Sequence, residues 1–171
     1  MGVLLYPKAN FPKRKLVLSE VSALEESAGI LLPEDYKNVL VSQNGGTIKT
    51  QYLVVKTKSK PTSWNVAYFC FVDEYGFAAN VSASEGSVSW LNQLFGNFLP
   101  KSCLAFAVVM DSHFLYFDLS VRRRGEIYLK CYSDSLEHLP KAVAAKTSRY
   151  FVSDSLEDLS MSLFAKDPIA Y

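Results

Sequence analysis

The sequence predicts an α+β fold, a single domain built on a largely antiparallel β-sheet. Segments with helical spacing of apolar residues stand first and last in the chain, and a block of consecutive apolar, β-branched and aromatic stretches runs between them. Helices segregated from a run of strands argue for α+β rather than an alternating α/β pattern. The 171 residues fall within the ~100–200 typical of one domain. With 49% hydrophobic and 20% charged residues, the chain has the apolar groups that a disordered sequence lacks. Its 8 Gly and 7 Pro exclude collagen-like and low-complexity classes. Its 10 Tyr, 11 Phe and 2 Trp favour sheets and filled cores.

The first helix is expected over residues 19–29, capped by Ser19, with Val21, Leu24 and Ala28 at helical spacing and Gly29 in the left-handed C-terminal position. A second helix begins at Pro33, which tolerates a first helical turn. Glu34 and Asp35 there meet the positive end of the helix dipole. Asn44-Gly45-Gly46 ends it. Residues 47–55 read as a strand and 56–65 as a lysine-containing loop. Residues 66–72 are apolar on both alternating faces, as in a central strand. Asp73-Glu74-Tyr75-Gly76 is a turn, and 77–84 a short strand. A helix over 87–95 is stopped by Gly96 and Pro100.

Two apolar runs, 104–110 and 114–118, flank Asp111-Ser112-His113 and predict a β-hairpin. Residues 121–125 turn again, and 126–132 form another strand. A short helix or an irregular excursion occupies 136–146, and 149–152 pair at a sheet edge. In the last helix Ser155 and Asp158 fit the reciprocal N-capping pattern, with Leu156, Leu159 and Leu163 on one face. One core is expected from Leu24, Tyr36, Leu40, Phe69, Phe71, Trp90, Leu94, Phe106, Val108, Leu115, Phe117, Leu156 and Leu159.

The charges nearly cancel, 18 Lys+Arg against 17 Asp+Glu. A nucleic-acid or anionic-membrane binder would usually be more basic. Cys70, Cys103 and Cys131 are odd in number and widely spaced, unlike a secreted disulfide scaffold, and read as reduced thiols in or near a core. Residues 3–6 are too short an apolar stretch for a signal peptide. Tyr6 breaks the myristoylation pattern, and no apolar run approaches the ~20 residues that span a bilayer. The expected location is the cytoplasm.

Catalytic and metal chemistry find little footing. His113 and His138 have no Cys or carboxylate at ligand spacing. Asp111, Ser112 and His113 are adjacent in a tight turn, whereas a triad is assembled from distant positions. There is no GxSxG elbow, P-loop or GxGxxG. Glu25 and Glu26 point apart on a helix. No catalytic residue, metal or cofactor is expected.

The segment 21–47 resembles the opening motif of the SUKH superfamily, the cell-wall-regulator-like and bacterial toxin-immunity proteins. The motif positions here are Leu24-Glu25, Gly29, Leu32-Pro33, Asp35-Tyr36, Leu40 and Asn44-Gly45-Gly46. Leu99-Pro100, the 104–110 strand with Asp111, Phe117-Asp118-Leu119 and Gly125-Glu126-Ile127 are similar to the family's central hairpin. Residues 152–156 with Leu159 and Leu163 are similar to its closing helix. Ser112-His113 replaces the family's usual Gly-containing turn, and 56–84 and 133–148 match nothing in it.

The resemblance implies a central, mostly antiparallel sheet flanked by helices, with residues 19–165 as the domain, 1–18 as an N-terminal extension and 166–171 as a tail. It also implies a non-catalytic protein-binding role. The chain would be an immunity protein that neutralises a toxin effector domain of nuclease or deaminase type, or alternatively a regulatory scaffold of the cell-wall-regulator type. A hydrolase-like enzyme is a third class. The partner surface is expected at one rim of the sheet, in two patches. One is Lys56, Lys58, Lys60 and Trp64. The other is Arg122, Arg123 and Arg124, with Asp73 and Glu74 as counter-charges. Guanidinium forks suit carboxylates, and Trp and Arg are favoured interface anchors. Each patch also has a plainer reading: a solvated arginine turn, lysines that blunt a sheet edge, and Trp64 folded back on its own core.

Overall fold

The structure, a computed structural model, describes residues 5, 6, 8, 11, 14–48, 52–56, 60–110, 113–133 and 137–164. Helix α1 (Leu18–Ala28) is capped by Val17 instead of Ser19. Val17 carries no oxygen, so the Glu20 carboxylate caps in its place by accepting the Val17 N–H at 2.9 Å. Arg14 pairs with the same carboxylate. Gly29 ends the helix in the left-handed conformation, as predicted. Buried Glu25 accepts the Leu32 N–H at 2.6 Å and lies 3.7 Å from Lys37 Nζ, bracing the loop into α2 (Glu34–Ser42). Pro33 is the N-cap of α2.

A short strand β1 (Leu5–Tyr6) pairs antiparallel with β2 (Thr47–Ile48), and the Phe11 ring packs edge-on to Tyr68 and Phe71. The segment before α1 is thus tied to the domain. The main sheet has six antiparallel strands in sequence order. They are β3 (Tyr52–Lys56), β4 (Pro61–Phe69), β5 (Cys103–Val109), β6 (His113–Asp118), β7 (Glu126–Lys130) and β8 (Arg149–Ser153). Helix α3 (Val88–Phe95) precedes β5, α4 (Lys141–Lys146) precedes β8, and α5 (Leu156–Ser162) follows it. Residues 166–171, the expected tail, lie outside the described residues. Among the described residues no helix is long and apolar enough to cross a membrane.

Several expectations are corrected. The 47–55 strand divides into β2 and β3. Residues 61–65 of the expected 56–65 loop are the start of β4, where Thr62, Ser63 and Trp64 pair with Val55, Val54 and Leu53. Its polar residues obscured a half-exposed strand that extends past the core. Residues 77–84 form no strand. Asp73 accepts the N–H groups of Tyr75 (3.1 Å) and Ser84 (3.0 Å), closing the segment into a loop.

Alternation along the strands sorts the two sheet faces. Leu115, Phe117, Ile127 and Leu129 face the α1–α2 layer and are fully buried. There Tyr36 meets Phe106 and Phe117 at 5.6 and 5.0 Å between centroids, and Phe106 stacks on Phe117 at 4.0 Å. On the opposite face Phe95 of α3 stacks on Phe114 at 4.8 Å. Asn92 of the same helix grips Ala105 at the β5 bulge, donating to its carbonyl (2.9 Å) and accepting its N–H (3.1 Å). Of the expected core, Leu94 is 46% exposed and lies outside it, because α3 turns Leu91 and not Leu94 to the sheet. Leu24, Trp90 and Val108 pack on the core partly buried, and the remaining nine are buried.

Three long-range contacts join the layers. Asn44 pairs with both backbone groups of Val72, at 2.8 Å each. Gly45, at φ +82, sits so close that a Cβ would stand 2.8 Å from the Phe71 backbone. Asp35 Oδ2 accepts the N–H groups of Leu156 (2.7 Å) and Glu157 (3.2 Å), capping α5 from α2, while Ser155 Oγ accepts the Asp158 N–H at 3.0 Å.

Chemical denaturation checks two consequences. Phe106→Ala is expected to cost ~3–5 kcal/mol, whereas Leu94→Ala stays within ~0.5 kcal/mol; equal effects would refute the core assignment. Asp35→Ala removes a cap shared by two N–H groups and is expected to cost ~1–2 kcal/mol, a loss that a neutral outcome would contradict.

Candidate partner-binding surface

The structure separates the two expected patches. The Lys56↔Pro61 pair closes the β3–β4 hairpin at the same end of the sheet as Val109↔His113, while Asp118↔Glu126 closes the arginine turn at the other. The patches therefore do not share a rim. Lys56 and Lys60 are exposed, and Lys58 lies outside the described residues. Trp64 is a strand residue packed against the core, its ring 4.6 Å from His113 and its Nε1 buried. Its folded-back reading holds. Asp73 spends both carboxylate oxygens on its own loop. With exposed Glu74 and Glu85 it lines a cavity of about 640 Å³ floored by Phe11, Leu16 and Phe71. Neither Asp73 nor Glu74 pairs with the arginine turn, where Arg123 has its carboxylate in Glu126 at 4.0 Å.

The arginine turn is the more built of the two patches. Gly125 N–H donates to Asp118 O (3.1 Å), Arg123 N–H to Ser120 O (3.1 Å) and Glu126 N–H to Arg123 O (2.9 Å). Ser120 N–H also binds the Asp118 carboxylate at 3.0 Å. Beside this turn lies a cluster that sequence reading missed. Arg149 lies over the Tyr128 ring, 3.7 Å from its centroid, and pairs with Asp118 at 3.3 Å. Tyr128 stacks on Tyr116 at 5.6 Å and meets Phe151 edge-on at the same distance. Its hydroxyl donates to Glu126 at 2.5 Å and accepts from Arg123 at 3.2 Å. No sequence signal marks it, because it depends on the β7–β8 register, which sets Tyr128 opposite Phe151 and Lys130 opposite Arg149.

Several groups with chemical potential are committed to structure, while His138 is exposed. Burial pushes the Cys103 thiol up to about 12 and Cys131 to about 11, and raises that of Cys70 as well. Protonated thiols are poor nucleophiles and poor metal ligands. His113 Nδ1 accepts the Tyr132 N–H at 3.0 Å. Asp111 and Ser112, expected as turn formers, lie outside the described residues. Among the described residues no group of three His, Cys, Asp or Glu stands together to hold a metal.

Lys130 is fully buried, its ammonium donating to Thr147 O at 2.6 Å and to Ala144 O at the end of α4. Burial first, then the Arg149 charge, pushes it down to about 8 from an ordinary 10.5. A folded-state value below the unfolded one means that the unfolded chain binds more protons between pH 8 and 10.5, so this residue's contribution to stability rises with pH across that window. The raised thiols act in the opposite direction above their ordinary value of 9.0, so the readout is the difference in unfolding free energy between wild type and Lys130→Met. It is expected to grow by up to ~1.4 kcal/mol per pH unit; a flat difference would refute a charged, buried Lys130.

Against known proteins, the sequence matches the SMI1 / KNR4 family (SUKH-1) over residues 16–161. No curated protein and no solved structure matches it. The match takes in both helical layers and the whole six-stranded sheet. The chain therefore belongs to the SMI1 / KNR4 family (SUKH-1).

Proposed function

We propose that this chain is an immunity protein. It binds the effector domain of a toxin, of nuclease or deaminase type, and blocks it by occupation without chemistry of its own. The observation that carries the reading is the commitment of its reactive side chains. The thiols are held protonated by burial, His113 serves the backbone of Tyr132, and Glu25 and Asp35 bind backbone N–H groups. Among the exposed features is a turn fixed by its own hydrogen bonds, with guanidinium groups at its tip. Such a surface suits recognition, where charge complementarity raises association rates above the neutral ~10⁵–10⁶ M⁻¹s⁻¹. Fast capture matters to a cell that must neutralise a toxin before it acts. Family membership supports the reading as well. The three free cysteines fit a reducing cytoplasm.

Co-expression with the effector domain encoded in the adjacent reading frame is expected to restore growth. In vitro, titrating the chain into that effector should abolish activity linearly, with an endpoint at one chain per effector. Protection by far less than one equivalent would mean turnover, and continued growth arrest with no isolable complex would overturn the immunity reading.

A further inference from the structure

We infer that the β6–β7 turn, together with the Tyr128–Arg149–Phe151 cluster beside it, is a docking surface for an acidic protein segment carrying an apolar residue. The inference rests on the reading of the chain as a protein-binding module and names the chemistry of what that module takes.

Charge comes first. Arg122, Arg123 and Arg124 are all exposed. Arg123 is matched by Glu126 and Arg149 by Asp118, while Arg122 and Arg124 have no carboxylate partner among the described residues. Asp154 stands at the adjoining β8–α5 junction, where its backbone carbonyl would lie 3.6 Å from a Cβ on Gly125. Among the described residues no ion pair reaches Arg122 or Arg124 from Asp154 or from the Glu34–Lys37 pair next to Pro33, which also adjoins Gly125. A planar fork left unmatched on a fixed turn is the donor set that a carboxylate completes in bidentate fashion.

The second observation is apolar exposure in the same place. Val121 is 89% exposed at the start of the turn, and Phe151 is 51% exposed on the neighbouring strand. Phe151 reaches the turn through Tyr128, which touches its ring at 5.6 Å and binds Arg123 through the hydroxyl at 3.2 Å. Aromatic and arginine groups held rigid beside one another are the usual anchors of protein interfaces, and the turn's hydrogen bonds mean that little ordering is lost on docking.

A protein fits better than a nucleic acid. The patch interleaves carboxylates with its cations, where a phosphate backbone favours an extended cationic field. Its tyrosines are not open for base stacking: Tyr116 is fully buried and Tyr128 is 7% exposed under Arg149.

The test is an ¹⁵N chemical-shift titration of the full chain at low salt. The probes are a short glutamate-rich peptide carrying one phenylalanine, the same peptide with lysine for glutamate, and a single-stranded oligonucleotide matched in charge to the first. The glutamate peptide is expected to give saturable shifts confined to residues 121–126, Tyr128, Arg149 and Phe151. The lysine peptide should give none. The Arg122→Glu/Arg124→Glu variant, altered only at exposed positions, should keep the remaining spectrum and lose about tenfold or more in affinity. Scattered or absent shifts, or unchanged binding by the variant, would overturn the inference. Oligonucleotide binding at these residues as tight as the peptide's would overturn it in favour of nucleic acid. No effector domain enters this titration, so its failure leaves the neutralisation reading standing, and failed neutralisation with a positive titration removes only the immunity role.

Discussion

The fold hangs on the two-way pairing of the Asn44 side chain with the backbone of Val72. Those groups lie past the end of β4, where no neighbouring strand satisfies them, and a buried backbone pair without partners costs several kcal/mol. A carboxamide is the side chain that both donates and accepts in one plane. Gly45 then passes against the Phe71 backbone, and Gly46 exchanges hydrogen bonds with Phe69 at 3.0 and 2.7 Å. Helices α1 and α2 are thereby fixed at one place over the sheet. Only from that position does Tyr36 reach Phe106 and Phe117, and only from there does Asp35 reach the first N–H groups of α5.

The opposite face repeats the device with different chemistry. Asn92 secures α3 to the irregular backbone at Ala105, and Lys130 secures α4 through its last carbonyls. Both are buried polar groups that each join a helix to a strand. An apolar contact would permit sliding; a directed bond to a named carbonyl does not. A buried ammonium is the more costly of the two, which is why its proton is loosely held.

Local signals were legible in the sequence. Gly29 ends α1, Ser155 caps α5, Asn44-Gly45-Gly46 turns the chain, and β5–β6 form a hairpin. Signals that depend on count and register were not. In an antiparallel meander each strand reverses direction, so one strand more or less moves every later turn to the other end of the sheet. Reading 77–84 as a strand brings the lysine and arginine patches to one rim. Asp73 closes that segment as a loop instead, and the patches part. Trp64 misled for a related reason: the alternate lysines, Pro61 and Ser63 made its surroundings look like a loop, while pairing with β3 was a property of another segment.

Strand β7 explains why the arginine–aromatic cluster and a buried lysine occupy one face. Glu126, Tyr128 and Lys130 alternate onto the side away from α1 and α2. Their exposure falls along the strand, from half-buried Glu126 through Tyr128 at 7% to Lys130 at 0%. The gradient follows the cover. Helix α4 is only 6 residues long and shelters the Lys130 end; the Glu126 end is sheltered by side chains alone, with Arg149 laid across Tyr128. Beyond the reach of α4, Arg149 and half-exposed Phe151 form the outer layer over buried Tyr128, held in place by the sheet.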